Sequence, residues 1–138
     1  MGMSFAACCF LVLVVATAVL GIGCNKPPNT LSGVMAEFQI EPMPARVGVV
    51  VVSLTLTDRA SHPVTGAQIE VEADMSHAGM SPVFAQANEV RPGRYESHLS
   101  LNMAGDWVML WHGTLANAEK LERQFDVRDI RPSNVRSN

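Results

Sequence analysis

The chain has 138 residues with 48% apolar content, 3 cysteines, and a formal net charge of −3 from 10 Lys and Arg against 13 Asp and Glu. Every charged residue lies beyond Cys24, with acids and bases interspersed; no basic patch of the kind nucleic-acid binding requires is present, which excludes nucleic acid as a partner. The residues beyond Cys24 suffice for one ordinary domain and not for two.

Residues 5–22 are almost wholly apolar, interrupted by Thr17 and Gly21, and run into Leu20-Gly21-Ile22-Gly23-Cys24. An apolar core followed by small residues is the pattern of an export signal. The segment resembles a bacterial lipoprotein signal, which makes 1–23 the expected signal peptide and Cys24 the lipidated first residue of the mature chain. No Lys or Arg precedes the run, and it is also about long enough to cross a bilayer, so an uncleaved membrane anchor is the alternative. Either way the domain is expected in the cell envelope, membrane-anchored and facing the periplasm or exterior. Asn25 rather than Asp after Cys24 leans toward outer-membrane sorting in a host with two membranes. Cys8 and Cys9 fall inside the signal, so cleavage at Cys24 leaves no disulfide framework and no thiolate metal site. Residues 24–33 then form a polar, proline-bearing tether.

From Val34 onward the period is two. A short strand is expected over 35–40, closed by Glu41-Pro42-Met43-Pro44, whose prolines cannot donate to a central ladder. The strongest strand is 47–57, with Val50, Val52, Leu54 and Leu56 on one face and Ser53, Thr55 and Thr57 on the other. After the turn-rich stretch 58–66, Ala67, Ile69, Val71 and Ala73 alternate with Gln68, Glu70, Glu72 and Asp74 as a half-buried strand. The same parity turns Met75 inward. A weaker strand over 83–90 and the turn Arg91-Pro92-Gly93 lead to one in which Tyr95, Leu99 and Leu101 oppose Glu96, His98, Ser100 and Asn102. Ala104-Gly105-Asp106 connects to a strand over 107–115, and a more polar one ends near Val127. The domain is thus expected over 34–129, followed by a disordered tail from 130 to 138. About seven strands with turns every eight to twelve residues predict an all-β, immunoglobulin-like sandwich, with a small barrel as the competing architecture.

The stretch Met75-Ser76-His77-Ala78-Gly79-Met80-Ser81-Pro82 gathers two thioethers and an imidazole on a loop between strands. Such soft or borderline donors suit copper, and Cu(I) above all, better than Mg or Ca. The competing reading is that Met75 packs in the core while Gly79 and Pro82 shape a turn. Successive connections alternate ends, so the loop after Asp74 and the connection at 104–106 are expected together. That would put Met75, His77, Met80 and Met103 within reach of one ion. Catalysis finds no support: the four histidines are scattered, and neither a G-x-S-x-G elbow nor paired carboxylates in a Gly-rich loop is present. His62, His98 and His112 read as surface residues. The outward row Val108, Leu110, His112 is the candidate docking face if the domain is instead a metal-free interaction module.

The run from Val64-Thr65-Gly66-Ala67-Gln68-Ile69 through the Met75 loop, Pro92-Gly93-Arg94-Tyr95 and Met103-Ala104-Gly105-Asp106-Trp107 resembles the YtkA-like domain, which is related to the FixH family. The resemblance implies a small exported or membrane-anchored β-sandwich with a place in copper handling or respiratory-oxidase maturation. A copper-handling protein or a membrane oxidase is the partner it implies. By matching position, Met75, His77, Met80 and Met103 are the metal residues it implies. Gly93-Arg94-Tyr95 and Gly105-Asp106-Trp107 read as turn and core features.

Overall fold

The computed structural model describes residues 33–77 and 79–133. The expected signal 1–23, the lipidation site Cys24, the tether up to residue 32, Ala78 of the methionine loop and residues 134–138 of the expected tail lie outside the described residues. Seven strands follow in order: β1 (Met35–Glu41), β2 (Gly48–Thr57), β3 (Gln68–Met75), β4 (Val83–Arg91), β5 (Arg94–Leu101), β6 (Gly105–Thr114) and β7 (Lys120–Ile130).

All pairings between these strands are antiparallel, in the order β1-β2-β5-β4-β3-β6-β7. That places β1, β2, β5 and β4 in one layer and β3, β6 and β7 in the other, the arrangement of an immunoglobulin constant-type sandwich. The layers are joined through β4, whose first half pairs with β3 from Val83 to Ala87 and whose second half pairs with β5 from Asn88 to Arg91. The expected all-β sandwich therefore forms as one continuous sheet, and that sheet is nearly closed. Between its two free edges, Phe38 of β1 stacks on Phe125 of β7 with ring centroids 5.0 Å apart. Arg123 reaches across to donate to the Val34 carbonyl at 2.8 Å; burial pushes its guanidinium pKa down from the ordinary value. Farther along, Arg46 and Arg131 form a parallel bridge, with Val47 N–H on the Arg131 carbonyl at 2.8 Å.

The core follows the period-two pattern. Val50, Val52, Leu54 and Leu56 of β2, Ile69, Val71, Ala73 and Met75 of β3, and Trp107, Met109 and Trp111 of β6 are all buried. Phe38 meets Trp111 edge-on at 6.2 Å, and the Trp111 indole nitrogen is buried without a hydrogen-bond partner. Two positions depart from simple alternation. Ser53 faces away from the core yet is buried, because it lies in register between Gln39 and Glu96 and Arg94 spans those two with bonds of 3.1 and 2.8 Å. Ile130, placed by the sequence pattern at the start of a tail, is instead the last residue of β7 and is buried. An extra residue on β7 between Val127 and Ile130, with Asp129 at a φ of 58°, shifts the register. A bulge of this kind changes which side chains face inward, and so Ile130 faces the core.

One knot holds the end where β2 leaves for β3. Tyr95, fully buried, accepts from Ala67 N–H at 3.1 Å and donates to the Val64 carbonyl at 2.9 Å, and burial raises its phenol pKa. The Glu89 carboxylate accepts from Gly66 N–H at 3.0 Å and from Gly93 N–H at 2.8 Å, which holds its pKa below the usual carboxylate value. Tyr95→Phe keeps the ring but leaves a part-buried donor and acceptor without their partner, so urea unfolding is expected to show a loss of about 1–2 kcal/mol with an unchanged m-value.

Candidate functional site

At the opposite end of the sandwich the β3–β4 loop meets the β5–β6 connection. Met75 closes β3 directly across from Trp107 of β6. It is 7% exposed, and a Cβ built on Gly105 would stand 3.3 Å from its Cε. Ser76 donates twice to the Asp106 carbonyl, from its backbone N–H and from its hydroxyl, each at 3.2 Å. Trp107 donates its indole N–H to the Met103 carbonyl at 3.1 Å. Asp106 in turn accepts Asp129 N–H on its carboxylate at 3.0 Å. The β3–β4 loop, the β5–β6 connection and the β7 bulge are thereby fastened to one another without using a sulfur or an imidazole.

The four sequence-selected donors stand differently in that frame. Met75 belongs to the hydrophobic core, as its parity implies. Met80 is half-buried and packs against the same core, while His77 is exposed and Met103 is 45% exposed. The structure brings the Met75 and Met103 segments together through Trp107, with His77 and Met80 on the loop that leaves Met75. Among the described residues no group of three or more His, Cys, Asp or Glu is placed to hold a metal ion. The donor set at this end is sulfur and imidazole, which matches a soft ion. One further methionine shares this end. Met43, 76% exposed, lies in the turn between β1 and β2, and counting strand directions from β3 backwards would have placed it there.

The remaining histidines lie elsewhere. His62 sits in the turn after β2 at the other end, its Nδ1 3.2 Å from the Asp58 carboxylate; the His62 backbone N–H, chief among several donors, holds the Asp58 pKa below its ordinary value. His98 is exposed on the outer face of β5. His112 is half-buried on β6 with Nε2 3.2 Å from Glu72 Oε2.

The outer face of β3, β6 and β7 differs from the apolar row expected of it. Val108, Leu110 and His112 are only half-buried, but carboxylates frame them on both sides: Asp74, Glu72 and Glu70 from β3, and Asp126 and Glu122 from β7. The β3 carboxylates are legible as alternating residues. The β7 ones fall opposite only through the strand register.

An open groove of about 670 Å³ runs between the free edges of β1 and β7. Phe38, Ile40, Ala45 and Val127 give it an apolar lining, and Glu41, Asp126, Arg128 and Asp129 line it as well.

Comparison with known proteins gives one result. The model of the YtkA-like family matches residues 30–112, which take in β1 through most of β6 and every one of the four sequence-selected donors. No curated protein and no solved structure matches the chain.

Proposed function

The chain belongs to the YtkA-like family, and on that premise we propose that it is an exported copper-binding auxiliary protein, anchored to the membrane through Cys24, that assists copper delivery or the maturation of a respiratory oxidase. Its role in this reading is binding and transfer, not catalysis. The observation that carries the proposal is the meeting of the β3–β4 loop with the β5–β6 connection, fastened by Ser76 on Asp106 and by Trp107 on Met103. Two segments far apart in sequence thus present soft donors at one end of a rigid sandwich.

Each donor's burial suggests its part. Met75 is held by the core and fixes where the loop begins. His77 and Met103 are exposed and Met80 is half-buried, and these three are the residues that would hold the ion. Bound copper would supply a soft, exchangeable cation. A site built from thioethers and one imidazole, without thiolate, favours Cu(I) over hard cations. Ser76 and Trp107 keep their own polar groups occupied with the backbone, so that the two donor segments stay in register whether or not the site is filled.

Anaerobic titration of the purified protein against a chromogenic Cu(I) chelator tests this. His77→Ala, Met80→Ala and Met103→Ala are each expected to weaken Cu(I) binding at least about tenfold, or about 1.4 kcal/mol. Met35→Ala serves as the control, since Met35 is exposed at the other end of the sandwich and should change nothing. Failure of the unaltered protein to compete with the chelator, or an equal loss in Met35→Ala, overturns the proposal.

A further inference from the structure

The carboxylates framing β6 point to a partner. Across the outer face of β3, β6 and β7 the register stacks three rows: Asp74, Val108 and Asp126; Glu72, Leu110 and Gln124; Glu70, His112 and Glu122. Phe84 of β4, 56% exposed, extends the middle row beyond Glu72. In each row a β6 side chain separates the β3 carboxylate from the β7 residue, so no two carboxylates stand directly opposite, and what repulsion there is acts along β3 and across β6. Here no Lys or Arg is interleaved. Among the described residues the ion pairs join His62 to Asp58, Arg94 to Glu96, His112 to Glu72, and Arg131 to Asp129; Glu70, Asp74, Glu122 and Asp126 enter none of them. Of the cations on β7, Arg123 turns to the β1 seam, while Lys120, held by the Thr114 hydroxyl, and Arg128, which shares the outward parity of Asp126, flank the three rows at their two ends without falling within them.

We propose that this face is a docking surface for a protein partner that presents Lys or Arg side chains around an apolar centre. The reasoning is charge complementarity joined to composition. A face kept only for solubility would not need Val108, Leu110 and Phe84 among its carboxylates, and an apolar patch kept for self-association would not be ringed by like charge. The same charges repel anionic lipid and nucleic acid, leaving a cationic protein surface as the occupant. The row of Asp74, Val108 and Asp126 is the one nearest Ser76 and Asp106, so a partner seated here lies beside the methionine end. The docking surface itself does not depend on copper.

The test uses the synthetic peptide Ac-Lys-Leu-Lys-Val-Lys-Leu-Lys-NH2 as probe and amide chemical shifts of the protein as readout. Saturable shifts are expected on the strands of this face, at Glu70, Glu72, Asp74, Val108, Leu110, Glu122 and Asp126. Affinity is expected to fall at least about tenfold between about 0.02 and about 0.3 M salt. Two variants separate the contributions: Asp74→Asn/Glu122→Gln/Asp126→Asn removes charge at constant shape and leaves the His112–Glu72 pair in place, and Leu110→Ser removes the apolar centre, each with an expected loss of about tenfold. The charge-neutralised protein should also melt at or above the temperature of the unaltered one, since repulsion is relieved. Absence of saturable binding, shifts centred on the β1–β7 groove, equal affinity in the neutralised variant, binding to anionic vesicles, or a lowered melting temperature in the neutralised variant overturns the proposal.

Discussion

Gly93→Ala is expected to lower the unfolding free energy by about 3 kcal/mol or more, while Gly66→Ala, at nearly the same backbone angle, should cost only about 1–2 kcal/mol. Both glycines have positive φ, 73° and 72°, so both alanines carry the strain of the left-handed region, roughly 1–2 kcal/mol. The surroundings separate them. A Cβ at Gly93 would meet the Leu56 carbonyl oxygen and the Pro63 Cβ, each at 2.8 Å, whereas at Gly66 the nearest atom is the Ala116 Cβ at 3.7 Å. Neither obstacle at Gly93 can swing aside: the Gly93 carbonyl accepts Leu56 N–H at 2.8 Å, and the Leu56 carbonyl accepts Val64 N–H at 2.9 Å. Relief would have to break a ladder that ties β2, β5 and the segment entering β3. Urea unfolding of the two variants measures the difference. Losses equal to within about 0.5 kcal/mol would show that the close approach at Gly93 is absorbed elsewhere.

Gly93 also shows how far the sequence carries. Arg91-Pro92-Gly93 announces a turn by composition alone, but the reason for glycine lies in Leu56 and Pro63, more than 25 residues away, and local pattern holds no record of them. The strands were legible because burial on one side of a sheet imposes a period of two, and the parity of Val71 and Ala73 is enough to turn Met75 inward. Period two fails where an extra residue enters: the bulge before Ile130 reverses parity and makes a core strand look like the start of a tail. Pairing partners were equally hidden. Nothing in Val83 to Arg91 tells that its first half serves β3 and its second half β5. The candidate site was readable to the degree that it depends on alternating strand ends, which bring the Met75 and Met103 segments together. The carboxylate face was half readable, since Glu70, Glu72 and Asp74 alternate along one strand while Glu122 and Asp126 join them only through register.

Trp107 is where fold and candidate site meet, and Trp107→Ala is expected to cost about 3–5 kcal/mol. The side chain is 2% exposed and stands between Met75 of β3 and Val127 of β7 in the register of the sheet. Its removal opens a large cavity beside both. A domain stabilised by about 5–15 kcal/mol would be left near its threshold, so the more informative change is Trp107→Phe. Phenylalanine fills most of the same volume but has no donor for the Met103 carbonyl, now bonded at 3.1 Å. The expected stability loss is about 1–2 kcal/mol, small enough to leave a folded protein. Met103 is exposed, and among the described residues this bond ties its backbone to the core. Trp107→Phe should therefore loosen the β5–β6 connection, seen as faster amide exchange from Asn102 to Asp106, with β2 and β3 unchanged. If Met103 is a copper ligand, the same variant weakens Cu(I) binding by less than Met103→Ala does, because the sulfur remains but its position is no longer fixed. Unchanged exchange at Asn102 to Asp106 would mean that packing of the indole, not its N–H, holds the connection in place.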